Sequence, residues 1–321
     1  MRSTAEYQQK LVSIPDAVGF LRSHQVLGIA MAGSEPPGLM TELGEQAQRL
    51  EDVRILLCLP LRNYDFILNP GMDGHVFIES LFYGNADRLA HEQGRVSYVP
   101  SNLHVAATRK LKAVNDHLDV FFGTATPPDE NGNLSLSLGL IIEKQMLEAA
   151  DLVVLEINEN RPWTHGDTLV HISDVDYLVE NHVPLPQLPP VVPSAEDEII
   201  GSYIADLITD GSTIQLGIGG IPNAIAPCLM NHKDIGVHTE MFTDGMVDLF
   251  QAGVITNRRK TLWPGKMVGT FALGTNKLYK FINRNPLVEL YQGRLVNDRY
   301  IIGLNYGMVS VNTALQVDVI G

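Results

Sequence analysis

The sequence contains two cysteines in 321 residues, Cys58 and Cys228, and both lie in apolar runs without a partner at a metal-ligand spacing. This scarcity excludes a disulfide framework and a cysteine-based metal cluster, and it is typical of a reducing, cytoplasmic setting. Apolar runs long enough to span a membrane are also missing, and the N-terminus has no apolar signal segment. We therefore expect a cytoplasmic protein without a membrane anchor.

Positive charge is also scarce, because 23 basic residues face 37 acidic ones for a formal net charge of −14. Nucleic acids and anionic membranes require clustered Lys and Arg, so we expect neither as a partner. One segment departs from this balance, since residues 258–299 hold nine basic side chains against Glu289 and Asp298. That segment could receive phosphate groups, or it could be a solvated basic face.

Short β-rich runs alternate with helical patterns through the first half of the chain, which predicts an α/β fold with a mostly parallel sheet. The predicted strands are Val26–Met31, Val53–Leu59, Arg95–Val99, Leu118–Gly123 and Leu152–Ile157. Several are apolar at nearly every position, as is typical of parallel strands covered on both faces. With 45% hydrophobic residues, the chain can bury two medium cores.

A proline-rich segment at residues 183–194, with five prolines in twelve residues, predicts an extended linker between domains at 1–182 and 195–321. Ser194 and Asp197 then predict a capped helix that ends at Gly211. Its apolar residues form a stripe at helical spacing. They are Ile199, Ile200, Tyr203, Ile204, Leu207 and Ile208.

A glycine-rich turn, Gly217–Pro222, follows the predicted strand 212–216, and Glu240 lies eighteen positions after its proline, behind the predicted strand 236–239. Such a turn can offer backbone N–H groups to an anionic or oxyanionic ligand. A dinucleotide site has a similar spacing between glycines and an acid, but proline occupies the sixth position, which should be small. A third interpretation is a tight turn beside a solvated glutamate.

These motifs resemble the acetyl-CoA hydrolase/transferase family, the class I CoA-transferases that include 4-hydroxybutyrate and butyryl-CoA:acetate CoA-transferases. The resemblance covers nearly the whole chain, from about Val12 to the end. It is most specific where the Gly-Ile-Gly-Gly-Ile-Pro turn is joined to Thr239-Glu240-Met241 at this distance. Asp129–Leu136 and Met308–Asp318 are also similar to the family.

The resemblance implies two α/β domains with open, mostly parallel sheets of the CoA-transferase type, and an active site in the cleft between them. Glu240 would be the nucleophile, Gly217, Gly219 and Gly220 would line the pocket for acyl-CoA and the developing oxyanion, and Gln215 would face the acyl group. Coenzyme A would be a co-substrate and short-chain carboxylates the other partners, with no metal and no permanently bound cofactor. A homodimer or a dimer of dimers is implied.

Similar proteins continue past the strand that contains Asn312 into a second glycine-rich segment, which this sequence lacks, so we expect the second domain to be incomplete. An acyl-CoA hydrolase is the nearest alternative function, because water replacing the acceptor acid needs no new residue. A ligand-sensing module of a transcriptional regulator is a less favoured alternative function, because the sequence has no helix-turn-helix pattern for binding DNA. His238 is more typical of a packed strand residue than of a catalyst, and Asp244 of a helix cap.

Overall fold

The computed structural model describes residues 2–113, 117–314 and 316–320. The chain divides into two compact units, the first comprising residues 1–186 with 292–294 and the second residues 187–291 with 295–321. In the described residues, no helix combines the length and apolar character that crossing a membrane requires.

A seven-stranded sheet, parallel throughout, forms the first unit, with strand order β10-β7-β5-β1-β2-β3-β4. Its buried core consists largely of Leu, Ile, Val and Phe. The strands of this part of the chain are β1 Val26–Ile29, β2 Val53–Leu57, β3 Val76–Ser80, β4 Val96–Tyr98, β5 Leu118–Ala125, β6 Asn133–Ser135, β7 Ala150–Ile157, β8 His165–Gly166, β9 Leu169–His171 and β10 Tyr177–Glu180. Strands β6 and β9 form a separate antiparallel pair.

Helices connect these strands and cover the sheet, as parallel pairing requires. They are α1 Arg2–Lys10, α2 Ile14–Gly19, α3 Pro37–Gln46, α4 Asp65–Leu68, α5 Asn85–Glu92, α6 Leu103–Ala113 and α7 Glu143–Ala149. The predicted α/β class with parallel sheets is confirmed, although β3 and β10 of this sheet had no predicted counterparts.

The second unit is also built from parallel strands, with β11 between β12 and β17. Strand β13 pairs with β15, β14 pairs with β16, and a parallel bridge joins His238 to Val268 of β14. The strands are β11 Thr213–Leu216, β12 Gly236–Val237, β13 Met241–Phe242, β14 Met267–Gly269, β15 Phe271–Ala272, β16 Val288–Leu290 and β17 Met308–Val311. The later helices are α8 Ala195–Ala205, α9 Gly220–Cys228, α10 Asp244–Gln251, α11 Asn276–Ile282, α12 Gly293–Val296 and α13 Arg299–Gly303.

Helix α8 begins where the sequence predicts, with a capping box in which Ser194 accepts from the N–H of Asp197 and Asp197 accepts from the N–H of Ser194. Its last residue is Ala205, six residues before Gly211. The apolar stripe does not form the buried face, because four of its six residues are exposed: Ile199, Ile200, Tyr203 and Leu207. Small residues face the core instead, since Gly201 packs against Ala224 of α9 and leaves no room for a larger side chain.

Candidate active site

Glu240 lies in the bend between β12 and β13, and neighbouring strands hold its backbone in place. Its carbonyl oxygen accepts hydrogen bonds from the N–H of Thr270 at 3.0 Å, the N–H of Phe271 at 3.2 Å and the hydroxyl of Thr270 at 3.0 Å. Thr270 lies between β14 and β15, which are adjacent along the chain. These hydrogen bonds fix the main chain at the residue predicted to be the nucleophile.

The glycine turn and Glu240 follow neighbouring parallel strands in matched register. Ile214 of β11 pairs with Val237 of β12, and Gly217 and Glu240 each lie three residues beyond that pair. The carboxyl ends of parallel strands meet at one edge of a sheet, which is where open α/β sheets bind ligands. The fold therefore carries the two predicted motifs to the same sheet edge. Within the described residues, no hydrogen bond joins them directly.

The Glu240 carboxylate is partly buried and accepts a hydrogen bond of 2.5 Å from the side-chain amide of Asn297, which lies between α12 and α13. Burial raises the pKa of Glu240, because removing water disfavours the charged form, and the amide of Asn297 opposes that shift. A partly desolvated carboxylate with one neutral donor is a better nucleophile than one in bulk water.

A buried basic pair lies behind this bend. His238 is 1% exposed, and its Nε2 donates to the carbonyl of Val296 at 2.8 Å. Burial is the main cause that lowers the pKa of His238, and the charge of Lys260 adds to it. Lys260 is also buried and donates to the carbonyls of Val237 and Lys266, each at 2.8 Å, while burial lowers its pKa to about 7. His238 is thus a packed, hydrogen-bonded residue that supports the bend.

Several basic side chains of residues 258–299 already form hydrogen bonds or ion pairs within the protein. Fewer of them are therefore available to bind phosphate than the sequence suggests. Lys260 points inwards, Lys266 forms an ion pair of 2.8 Å with Glu289, and Lys277 forms one with Asp248. At least three of the nine basic side chains of this segment are therefore engaged within the second unit.

The first N–H group of the glycine turn is not free, contrary to the expectation that the whole turn offers donors. Gly217 donates to the carbonyl of Val311 at 2.9 Å, which extends the pairing of β11 with β17 by one residue. A donor to an oxyanion must therefore come from later in the turn.

The next three residues, Ile218, Gly219 and Gly220, have backbone N–H groups without an acceptor among the described residues. They lie at the N-terminus of α9, where unpaired donors and the helix dipole favour negative charge. Gly219 has a φ of 124°, which L-amino acids with side chains rarely adopt. At Gly220 a Cβ atom would overlap the carboxylate of Asp197. Both glycines are therefore required by local geometry.

Gln215 lies on β11 with its side-chain amide among polar groups of β17. Its Oε1 accepts from the hydroxyl of Ser310 and from Asn312 at 3.3 Å, and its Nε2 donates to Asn312 at 3.3 Å. Facing a bound acyl group would require Gln215 to exchange some of these hydrogen bonds. That role stays a prediction.

Asp244 is the first residue of α10, but its carboxylate does not cap that helix. It accepts from the N–H of Thr275 at 2.8 Å and the hydroxyl of Thr275 at 2.6 Å, and so joins the starts of α10 and α11. The helix-cap role predicted for Asp244 is therefore wrong for α10, because its carboxylate binds Thr275, which precedes α11.

The segment Gly33–Pro37 follows β1 in the first unit, at the carboxyl-terminal edge of the sheet. Glu35 is 4% exposed and accepts from the N–H of Leu61 at 3.0 Å. Burial is the main cause that raises its pKa to about 7, while Arg62, 3.7 Å away, opposes the shift. The described residues contain no group of three His, Cys, Asp or Glu side chains that could hold a metal ion.

Asn297, Thr270 and Asp197 contribute to the site, but the sequence did not identify them as site residues. Asn297 is 57 positions after Glu240, in a stretch without a recognisable motif. Asp197 was predicted as a cap of α8, and its second role beneath Gly220 depends on the packing of α8 against α9. Only tertiary structure reveals these contacts.

The parallel sheets define an α/β protein, and the glycine turn and the partly buried Glu240 form its candidate site. The acetyl-CoA hydrolase/transferase N-terminal domain model matches residues 1–189, and the corresponding C-terminal domain model matches residues 274–321. The chain therefore belongs to the acetyl-CoA hydrolase/transferase family, as the sequence motifs predict.

Curated relatives and solved structures agree with this assignment. The chain is 39% identical to the 4-hydroxybutyrate coenzyme A transferase of Clostridium kluyveri over 98% of this chain and 73% of that protein. It is 31% identical to the butyryl-CoA:acetate CoA-transferase of Anaerostipes caccae over 98% and 71%. The structure of RipA from Yersinia pestis has a TM-score of 0.93 at 34% identity, covering 99% of this chain and 76% of that one. The predicted enzyme class, a CoA-transferase, is confirmed.

Proposed function

We propose that this enzyme transfers coenzyme A between short-chain carboxylic acids of the acetate, butyrate or 4-hydroxybutyrate class, by a ping-pong mechanism through a thioester on Glu240. The relatives named for 4-hydroxybutyrate and for butyryl-CoA:acetate transfer support these substrates. The observation that carries the proposal is the partly buried Glu240 carboxylate, hydrogen-bonded to Asn297 at the same sheet edge as the glycine turn.

The reaction begins when a carboxylate oxygen of Glu240 attacks the thioester carbonyl of the donor acyl-CoA. The C–S bond breaks, CoA leaves as a thiolate, and a mixed anhydride forms on Glu240. The thiolate then attacks the glutamyl carbonyl, which releases the first acid as a carboxylate and leaves a glutamyl-CoA thioester. The acceptor carboxylate reverses these two steps and leaves with CoA. No proton or electron is gained or lost over the cycle.

A carboxylate nucleophile suits this chemistry because the anhydride and the glutamyl thioester both retain the group-transfer energy of the original thioester. A serine ester would lie too low in energy for CoA to return. Each step needs only a carboxylate, a thiolate and donors to the oxyanion. Coenzyme A therefore acts as a co-substrate, and the mechanism requires no resident cofactor and no metal.

Each acyl transfer passes through a tetrahedral oxyanion, and the N–H groups of Ile218, Gly219 and Gly220 are the proposed donors to it. A well-aimed donor of this kind lowers a barrier by about 3 kcal/mol. Gly217 would line the pocket with its backbone while its N–H remains bonded to Val311. Gln215 would face the acyl group.

Other features of the proposal come from the family resemblance and the composition. They comprise a homodimer or dimer of dimers, a cytoplasmic location, and domains at 1–182 and 195–321 joined by the linker 183–194, with no nucleic-acid or membrane partner. Hydrolysis of acyl-CoA is a second candidate function. An acetyl-CoA hydrolase of Candida albicans is 21% identical over 74% of this chain, and water could attack the same glutamyl thioester.

The test is to incubate the protein with butyryl-CoA, reduce it with borohydride or treat it with hydroxylamine, and map the modified peptide by mass spectrometry. We expect the modification on Glu240, together with transfer of CoA to labelled acetate. Glu240→Gln should lose both, whereas Glu198→Gln, at an exposed position on α8, should keep both.

Modification of another residue would refute the mechanism. Release of free CoA at the same rate with and without acetate would favour the hydrolase. Lack of both CoA transfer and hydrolysis would refute the function.

A further inference from the structure

An apolar cavity of about 220 Å³ lies in the second unit, beside the glycine turn. Both this volume and the roughly 15 Å³ that one water molecule needs count the space open to the centre of a water-sized sphere. The cavity is therefore large enough for a chain of several carbon atoms. Its lining residues come from the proline-rich segment, the glycine turn and the ends of β13 and β15. They are Leu188, Pro189, Pro190, Val191, Ile218, Gly219, Asn223, Thr243, Asp244, Gly245 and Leu273.

Hydrogen bonds to the rest of the second unit hold the proline-rich wall in place. The N–H of Leu188 donates to the carbonyl of Gly274 at 2.9 Å, and the carbonyl of Val191 accepts from the side chain of Asn223 at 2.9 Å. Pro189 and Pro190, which lie between these two anchors, have no N–H group that needs a partner. The wall is therefore an extended segment that is hydrogen-bonded to the rest of the second unit at both of its ends.

Apolar side chains around the cavity remain exposed although they are next to the proposed oxyanion donors. Ile218 is 56% exposed and Val191 is 54% exposed, while Leu273 is buried. Exposed apolar surface around a concavity is typical of a ligand site. Gly219 belongs both to the lining and to the N-terminus of α9, so the cavity is continuous with the donors.

The cavity is also close to Glu240 along the chain. Thr243, in the lining, is three residues after Glu240, which limits the distance between their Cα atoms to about 11 Å. An acyl group attached to Glu240, with its oxygen at the glycine turn, could therefore extend into the cavity.

The charge in the lining belongs to Asp244, whose two oxygens accept from Thr275. Among the residues that the structure describes, none of those lining the cavity is basic. A second carboxylate on the substrate would therefore meet a negative charge and apolar walls, without a cation to pair with it. The lining favours an uncharged aliphatic chain.

We propose that this cavity holds the aliphatic chain of the acyl group, and that it selects monocarboxylic acyl groups of four or more carbons over dicarboxylic ones. The inference rests on the proposed function, because the chain enters the cavity only when its carbonyl carbon is at Glu240. Val191, Ile218 and Leu273 are the residues that would set the permitted chain length.

Val191→Trp tests the inference, because an indole at this half-exposed position would fill the cavity. Val192→Trp is the matched control, since Val192 is 87% exposed and does not line the cavity. We expect Val191→Trp to lower kcat/KM for hexanoyl-CoA at least about 10-fold relative to acetyl-CoA, a change typical of a methylene in an apolar pocket. Val192→Trp should leave this ratio unchanged. The unsubstituted enzyme should prefer butyryl-CoA to succinyl-CoA by about 10-fold or more.

An equal effect of Val191→Trp on both chain lengths, or none, would overturn the inference, and so would a preference for succinyl-CoA. These outcomes differ from failure of the proposed function, in which no acyl-CoA would react. Equilibrium binding of hexanoyl-CoA and acetyl-CoA to Glu240→Gln, with and without Val191→Trp, provides a readout that needs no turnover. Equal affinity losses for both thioesters there would also overturn it.

Discussion

The side-chain amide of Asn297 donates a hydrogen bond of 2.5 Å to the carboxylate of Glu240. Asn297 follows α12 and Glu240 follows β12, so tertiary structure brings them together. The contact stabilises the ionised form of a carboxylate that burial destabilises. It therefore sets how much of the proposed nucleophile is charged at a given pH.

Replacing Asn297 with Ala should raise the pKa of Glu240 further, because burial would then act without the opposing hydrogen bond. The acidic limb of the pH profile of kcat/KM should move to higher pH, since a larger share of Glu240 is protonated at each pH. A hydrogen bond to a charged group contributes about 1.5–3 kcal/mol, so a shift of about one unit or more is expected. A uniform loss of rate at all pH values would contradict this role of Asn297.

Gly220→Ala should destabilise the second unit by displacing the Asp197 carboxylate, which would overlap the new methyl group. That carboxylate accepts from the N–H of Ser194 at 2.9 Å, so the capping box of α8 would be lost at a cost of about 1 kcal/mol. The thermal midpoint of Gly220→Ala should fall, and the loss in the double variant with Asp197→Ala should be smaller than the sum of the single losses. Additive losses would mean that the two residues do not interact. Gly303→Ala, at a helical position where a Cβ meets no neighbour, is the control.

Lys260 should make the protein more stable as the pH rises from about 7 towards 10.5. Its pKa is lowered to about 7 in the folded state from an ordinary 10.5, so the unfolded chain binds an extra proton in this range. Stability then rises by up to about 1.4 kcal/mol per pH unit. Lys260→Met should flatten this part of the dependence of the thermal midpoint on pH, while lowering stability overall because the carbonyls of Val237 and Lys266 lose their donor. An unchanged slope would mean that Lys260 is charged in the folded protein.

Glu35, in the first unit, should make the protein less stable as the pH rises from about 4.5 to about 7. Its pKa is raised to about 7 from 4.5, so between these values the folded protein keeps a proton that the unfolded chain has lost. The stabilisation that protonated Glu35 gives the folded state is fully present below about pH 4.5 and is lost as the pH rises to about 7. Glu35→Gln should remove this decline, measured as the difference in thermal midpoint from the unsubstituted protein at pH 5 and pH 7. The same difference at both pH values would contradict the prediction.

Local sequence patterns predicted much of the fold. Near-continuous apolar runs such as 53–59 indicate strands covered on both faces, and these strands lie in the parallel sheet. The pair Ser194 and Asp197 predicted the start of α8 because a capping box involves residues three apart. Both signals are local, which is why the sequence alone was sufficient.

Long-range contacts account for what the sequence missed. The stripe on α8 has regular helical spacing, yet close approach to α9 places Gly201 and not Ile199 against the core. The glycine turn predicted free donors, but the pairing of β17 takes the N–H of Gly217. Asn297 could not be found from its sequence context, because its importance depends on where the chain returns to Glu240.

The hydrogen bond from Gly217 to Val311 has a consequence for biosynthesis. Val311 is 94 residues after Gly217, and β17 lies directly beside β11. A ribosome must therefore release residues 308–311 from its exit tunnel before this part of the turn can reach its final geometry. Contacts so distant in sequence form slowly, so the nascent second unit stays incomplete for most of its synthesis and is exposed to misassembly during that time.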